Sequence, residues 1–85
     1  MTKSLAKELA PKIRCNAIAP GPIPTEVFME AMKLSEEMLP GIVQHLQIPM
    51  GRMGAEEDIA PAAVYLASAA SAWVTGTILT VSGGL

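Results

Sequence analysis

The apolar positions of this 85-residue chain fall into short blocks whose spacing switches between helical and strand-like. Leu5 and Leu9 stand four apart with Ala6 and Ala10 beside them, which predicts a helix over residues 2–10, ended by Pro11. No strong capping residue stands before Lys3, so this helix is expected to begin upstream of the residues given. Residues 13–18 form an apolar run without clean alternation, the reading of a strand covered on both faces. Phe28 and Met32, again four apart, predict a helix over 26–34 with Thr25 as its N-cap. Ser35 can cap a further short helix whose first turn holds Glu36 and Glu37. Pro40-Gly41 is expected to interrupt the pattern before another turn or two over 42–46. Residues 48–54 read as a loop by their glycines and proline. The strongest helical signal opens at Glu56-Glu57-Asp58, where Ile59, Ala62, Ala63 and Leu66 make one apolar face. Pro61 lies on the other face, early enough to be tolerated. A connection over 68–76 leads to a second strand over 77–81, ended by Gly83-Gly84.

The order is helix, strand, helices, helix, strand. Two strands joined through helices imply a parallel crossover. A sheet of two parallel strands is not an independent fold, because such sheets need helices on both faces and further strands. The chain therefore reads as a piece of a larger doubly wound α/β domain. Its first strand stops at Pro20-Gly21, and two more prolines and Thr25 follow. Ligands of α/β proteins sit where parallel strands end at their carboxyl edge, so residues 20–25 are expected to form one wall of a binding crevice. No glycine-rich phosphate loop precedes them.

Composition narrows this little further. With 85 residues, 51% of them hydrophobic, and a net charge of -2, the chain makes one small domain at most, of marginal stability. A single cysteine and a single histidine exclude an internal disulfide and a Cys/His metal cluster, and fit a reducing, intracellular and cytoplasmic setting. The first residues do not read as a signal peptide, and no apolar stretch is long enough to span a bilayer. Six basic residues scattered among eight acidic ones leave no footprint for nucleic acid.

The chain resembles the C-terminal part of the short-chain dehydrogenases/reductases, NAD(P)-dependent oxidoreductases with a Rossmann fold. The resemblance covers nearly every residue. Ser4-Leu5-Ala6-Lys7-Glu8-Leu9-Ala10 is similar to the end of the helix that carries the family's catalytic lysine. Residues 13–25 are similar to its penultimate core strand and the Pro-Gly motif that follows. Ile48-Pro49-Met50-Gly51-Arg52-Met53-Gly54 with Glu57-Asp58-Ile59-Ala60 resembles the lead into its last large helix, and Val81-Ser82-Gly83-Gly84 its closing strand. The resemblance implies the fold class: α/β, the C-terminal portion of a Rossmann-type doubly wound parallel sheet and an incomplete domain, with residues 1–85 one segment of it and 25–50 the variable substrate loop. It implies that Pro20 and Gly21 lie beneath the nicotinamide of NAD or NADP, that backbone groups at Ile23 bind its carboxamide, and that the Thr25 hydroxyl touches the cofactor. It implies a small carbonyl or alcohol substrate, and a homo-oligomer formed through the last helix and strand.

The departures are as informative. The family's glycine-rich loop and its catalytic serine, tyrosine and lysine have no counterpart; Tyr65 does not replace the tyrosine, since Ala69 stands where a lysine would be needed. Alone, the chain is expected to be inactive: a fragment of an oxidoreductase or, alternatively, a non-catalytic interaction module that associates with full-length relatives. Other residues have plainer readings. Asn16 is expected to stitch backbone locally, Arg52 to make a structural ion pair or backbone contact, His45 to sit solvated on a helix, and Cys15 to be buried and inert. Trp73 and Tyr65 are expected to pack in a core or at a subunit contact. Met29, Met32, Met38, Met50 and Met53 are read as packing residues, or as an adaptable lid over an apolar substrate.

Overall fold

A computed structural model describes residues 1–85. Helix α1 (Thr2–Leu9) leads to strand β1 (Ala17–Pro20). Helix α2 (Glu26–Ala31), a 3-10 turn (Glu36–Met38) and helix α3 (Leu39–Leu46) follow. Helix α4 (Glu56–Ala67), a second 3-10 turn (Ala69–Ser71) and strand β2 (Ile78–Val81) complete the chain. β1 and β2 pair in parallel, with Ala17 opposite Ile78 and Pro20 opposite Val81. The element order is the one that the apolar spacing predicts.

Three boundaries differ from expectation, each for a local reason. The first strand is ladder-paired at 17–20 rather than 13–18, because its partner begins only at Ile78. Upstream the same edge is held irregularly: Gly76 N–H donates to Cys15 O at 2.8 Å and Cys15 N–H to Thr75 Oγ1 at 3.0 Å. Helix α2 stops at Ala31 rather than at 34. Lys33 turns to φ +55, while Lys33 N–H donates to Glu30 O at 3.2 Å and Leu34 N–H to Met29 O at 2.8 Å, the paired bonds of a Schellman cap. Pro40-Gly41 does not interrupt a helix but lies in the first turn of α3, where a missing proline N–H leaves no bond unmade. That helix also closes on a left-handed residue, Gln47 at φ +53, with Ile48 N–H donating to Val43 O at 3.3 Å. Both left-handed positions hold side chains that disfavour them. Lys33→Gly and Gln47→Gly are each expected to raise stability by a few tenths to about 1 kcal/mol, read as a higher urea midpoint at unchanged slope.

The interior is thin. Only Ala6, Ile48 and Ser71 are buried. Ala6 faces Gly76, where an added Cβ would sit 3.3 Å from the Ala6 methyl carbon, so α1 lies directly on the approach to β2. The chain exposes 6397 Å², about a third more than the roughly 4800 Å² of a compact monomer of its 8.9 kDa mass. Its radius of gyration, 15.8 Å, likewise exceeds the roughly 12 Å of a compact 85-residue domain. Large apolar side chains contribute to that surface: Trp73 is fully exposed, and Val27, Val64 and Ile78 are more than 60% exposed.

Candidate functional site

The site is built where the two parallel strands end. Pro20 closes β1, and Gly21 N–H donates to Val81 O at 2.8 Å, carrying the ladder one residue past the strand. An added Cβ at Gly21 would lie 2.6 Å from Ser82 Cα, so the two chain segments touch backbone to backbone and only glycine fits. The loop over 48–54 crosses both ends. Met50 N–H donates to Gly83 O and Gly54 N–H to Pro22 O, each at 2.9 Å, and the buried Ile48 side chain lies over Gly83.

Pro20, Gly21, Ile23 and Thr25, the four residues singled out in the sequence, line one open groove of about 660 Å³ together with Phe28 and with Ile59 and Ala60 of α4. Thr25 caps α2: its Oγ1 accepts from Phe28 N–H at 3.2 Å, and Thr25 N–H donates to Ile23 O at 2.9 Å. Ile23 N–H has no hydrogen-bond partner within the chain. The groove therefore offers an apolar floor, the Thr25 hydroxyl and the Glu56 carboxylate, with the unpartnered Ile23 amide on the turn that lines it. No group of three or more His, Cys, Asp or Glu gathers anywhere to hold a metal ion.

A smaller cleft of about 200 Å³ lies against the same turn, between Pro22, Ile23, Ser82 and Gly83 on one side and Arg52, Gly54 and Asp58 on the other. Here Arg52 makes the structural ion pair expected of it. Its two terminal nitrogens donate to Asp58 Oδ2 and Oδ1 at 2.8 and 2.9 Å, and one also donates to Met53 O at 3.1 Å. Asp58 Oδ2 accepts from Ala55 N–H at 2.8 Å as well, which satisfies a free amide at the start of α4. The hydrogen bonds from Arg52, seconded by that from Ala55, hold the Asp58 carboxyl down at about 2 against an ordinary 3.8. A carboxyl that ionises more readily when folded contributes stability that is complete above about pH 4 and is lost as pH falls towards 2. Protection of the Gly54 amide from exchange is expected to decline over that window in the wild type. In Asp58→Asn it should be low and independent of pH there.

Two residues matter more than the sequence alone suggests. Arg14 reaches from the segment before β1 to the far end of α4. It donates to Ser71 Oγ at 3.0 Å and Val74 O at 3.1 Å from one nitrogen, and to Leu66 O at 3.0 Å and Ser68 O at 3.3 Å from the other. A cation is thus set on the carbonyls at the helix C-terminus, where the dipole favours it. The signal for it was a charge inside a run read as buried, which requires partners. Asn16 stitches backbone as expected, but to the segment leading into β2 instead of locally: Nδ2 donates to Val74 O at 2.9 Å and Oδ1 accepts from Thr77 N–H at 3.0 Å.

Other expectations need correction. Of the two settings expected for Trp73 and Tyr65, a core or a subunit contact, this chain supplies no core, for they are 100% and 44% exposed. Cys15 is half-buried rather than buried. Of the predicted α4 face, Ile59, Ala62 and Leu66 are half-buried and Ala63 is exposed. His45 is exposed in the last turn of α3, as expected. No helix is long and apolar enough to cross a membrane.

A family model described as enoyl-(acyl carrier protein) reductase matches residues 1–85, the whole chain. The chain belongs to the short-chain dehydrogenase/reductase family. Among curated members it is 45% identical to the 3-oxoacyl-[acyl-carrier-protein] reductase FabG of Aquifex aeolicus over 99% of its own length and 32% of that protein. Among solved members it superposes on the NADPH-bound short chain oxidoreductase of Pseudomonas aeruginosa PAO1, which contains an atypical catalytic center, with a TM-score of 0.88 at 35% identity. That match covers 99% of this chain and 34% of that one. It also superposes on the ligand-free aldohexose dehydrogenase of Thermoplasma acidophilum with a TM-score of 0.87 at 36% identity, over 99% of this chain and 35% of that one. The chain thus spans about a third of the length of these short-chain dehydrogenase/reductase relatives, and its parallel α/β arrangement is that of their Rossmann-like fold.

Proposed function

We propose that this chain is the C-terminal portion of an NAD(P)-dependent oxidoreductase, in which it forms the wall beside the nicotinamide and the segment facing the substrate. The observation that carries this reading is the groove at the carboxyl edge of the sheet, where Pro20, Gly21, Ile23 and Thr25 converge. The groove suits the nicotinamide end of the cofactor, since an apolar floor and an unpartnered amide at Ile23 match a flat ring bearing a carboxamide. Nothing in the chain cradles the phosphates. When bound, the nicotinamide supplies hydride transfer to or from a carbonyl or alcohol carbon. The chain's own contribution is to bind and orient. Pro20 and Gly21 keep water from one ring face, Ile23 N–H donates to the carboxamide, and the Thr25 hydroxyl, whose oxygen already caps α2, has its proton to give. Residues 25–50 cover the substrate, and α4 with β2 forms a contact between subunits. Proton transfer needs a positioned acid/base, which must come from sequence beyond these residues.

The test replaces the matching third of the Aquifex aeolicus relative with this chain and follows NADPH oxidation with a panel of ketones. Hydride transfer is expected, with NADPH binding about fivefold weaker in Thr25→Val, the loss of one hydrogen bond. A chimera that folds but binds no NADPH overturns the reading. The exposed apolar side chains favour a second reading, a non-catalytic module that associates with full-length relatives. Under it the separate chain would co-purify with such a relative without altering its turnover.

A further inference from the structure

We propose that the Arg52–Asp58 ion pair positions the Ile23 peptide in the groove, acting through Gly54; this rests on the nicotinamide reading above for its consequence, though not for its geometry. The pair is bidentate and is tied to the backbone at both ends, by Arg52 to Met53 O and by Asp58 to Ala55 N–H. Residues 52–55 are therefore fixed on the first turn of α4. The one residue of that stretch that bonds to the strand-end turn is Gly54, whose N–H donates to Pro22 O at 2.9 Å. Pro22 O belongs to the same peptide unit as Ile23 N–H, so the bond that holds the oxygen also sets the direction of the free donor. The fit is close on the side-chain side too: an added Cβ at Gly54 would lie 3.0 Å from Ile23 Cγ1 and 3.4 Å from Pro22 O. Arg52 and Asp58 touch neither Ile23 N–H nor the groove floor, which makes them positioning residues. A planar fork is suited to this task because it fixes an angle as well as a distance.

The test is amide NMR of the Aquifex aeolicus chimera described above, isotopically labelled in its 85-residue segment, with titration by NADPH, in wild type, Arg52→Met, Arg52→Lys and Gly54→Ala. The expected result has three parts. Arg52→Met lowers Gly54 amide protection about tenfold and shifts the Ile23 resonance, while the Gly21 and Ala17 amides of the sheet keep theirs. Arg52→Lys restores part of that protection, as a single charged bond should. Gly54→Ala, with the ion pair intact, moves Ile23 in the same way, and NADPH shifts the Ile23 amide in wild type more than in any of the three. Unchanged Ile23 and Gly54 amides in Arg52→Met would overturn the proposal, as would a wild-type spectrum with every amide at unfolded-chain positions. If NADPH moves no wild-type amide while Arg52→Met still shifts Ile23, the positioning is supported and the nicotinamide reading falls.

Discussion

Arg14→Met is expected to destabilise the chain by about 3 kcal/mol, the largest loss from any single side chain here. The guanidinium serves four acceptors in three separate places: the α4 C-terminus, the 3-10 turn that follows and the approach to β2. Methionine fills much of the same volume and satisfies none of them. Ser71 is entirely buried, so water cannot replace the lost donor without opening the turn. Hydrogen bonds to a charged group are worth more than neutral ones, and leaving their acceptors unpaired costs the desolvation of each. A chain with so little interior has little stability to lose, so protection of the Gly76 and Ala17 amides should collapse. Arg14→Lys is expected to recover no more than about half, since an ammonium is a point and cannot span the fork. A wild-type urea midpoint for Arg14→Met would sink this account.

Gly21→Ala is expected to cost about 2–3 kcal/mol and to open the sheet at its carboxyl end. The added carbon would meet Ser82 Cα at 2.6 Å and Ser82 O at 2.9 Å. Those neighbours are largely backbone, so no rotamer change relieves the clash, and the bond from Gly21 N–H to Val81 O must lengthen. Faster exchange at Gly21, with α4 unaffected, is the expected signature. Gly41→Ala is the control: nothing stands within 4 Å of its Cβ position, and within α3 it is expected to raise stability by roughly 0.5–1 kcal/mol. Equal effects of opposite cause are excluded if Gly21→Ala leaves both midpoint and exchange unchanged, for then the close approach does not exist in solution.

These two positions show what the sequence makes legible. Gly21 could be placed because proline and glycine after an apolar run mark a strand's end, whatever the partner. The groove could be placed for the same reason: Pro20, Gly21, Ile23 and Thr25 are near neighbours in sequence, and one turn brings them together. Arg14 could not be given its role, since its partners lie 52 to 60 residues away and nothing local points to them. The left-handed closures at Lys33 and Gln47 were illegible for a different reason, although the end of α3 at Leu46 agrees with the spacing. A left-handed residue is usually announced by glycine or asparagine, and here hydrogen bonds to Met29 O and Val43 O hold ordinary side chains in that conformation. Pro40-Gly41 misled because a proline that breaks a helix interior is acceptable in its first turn.

The parallel pairing of Ala17 with Ile78 has a consequence for how the chain acquires its structure. The ties between the first and last thirds, Arg14 to Ser71, Asn16 to Thr77 and Gly21 to Val81, join residues 57 to 61 positions apart. Almost no sheet contact is local, and loop closure must precede any reward from pairing, which makes folding slow for the chain's size. On a ribosome adding about 5–20 residues per second, β1 would wait roughly 3–12 s for its partner to be synthesised. Through that interval β1 has no β2 to pair with, and is exposed to whatever chaperone or neighbouring strand reaches it first.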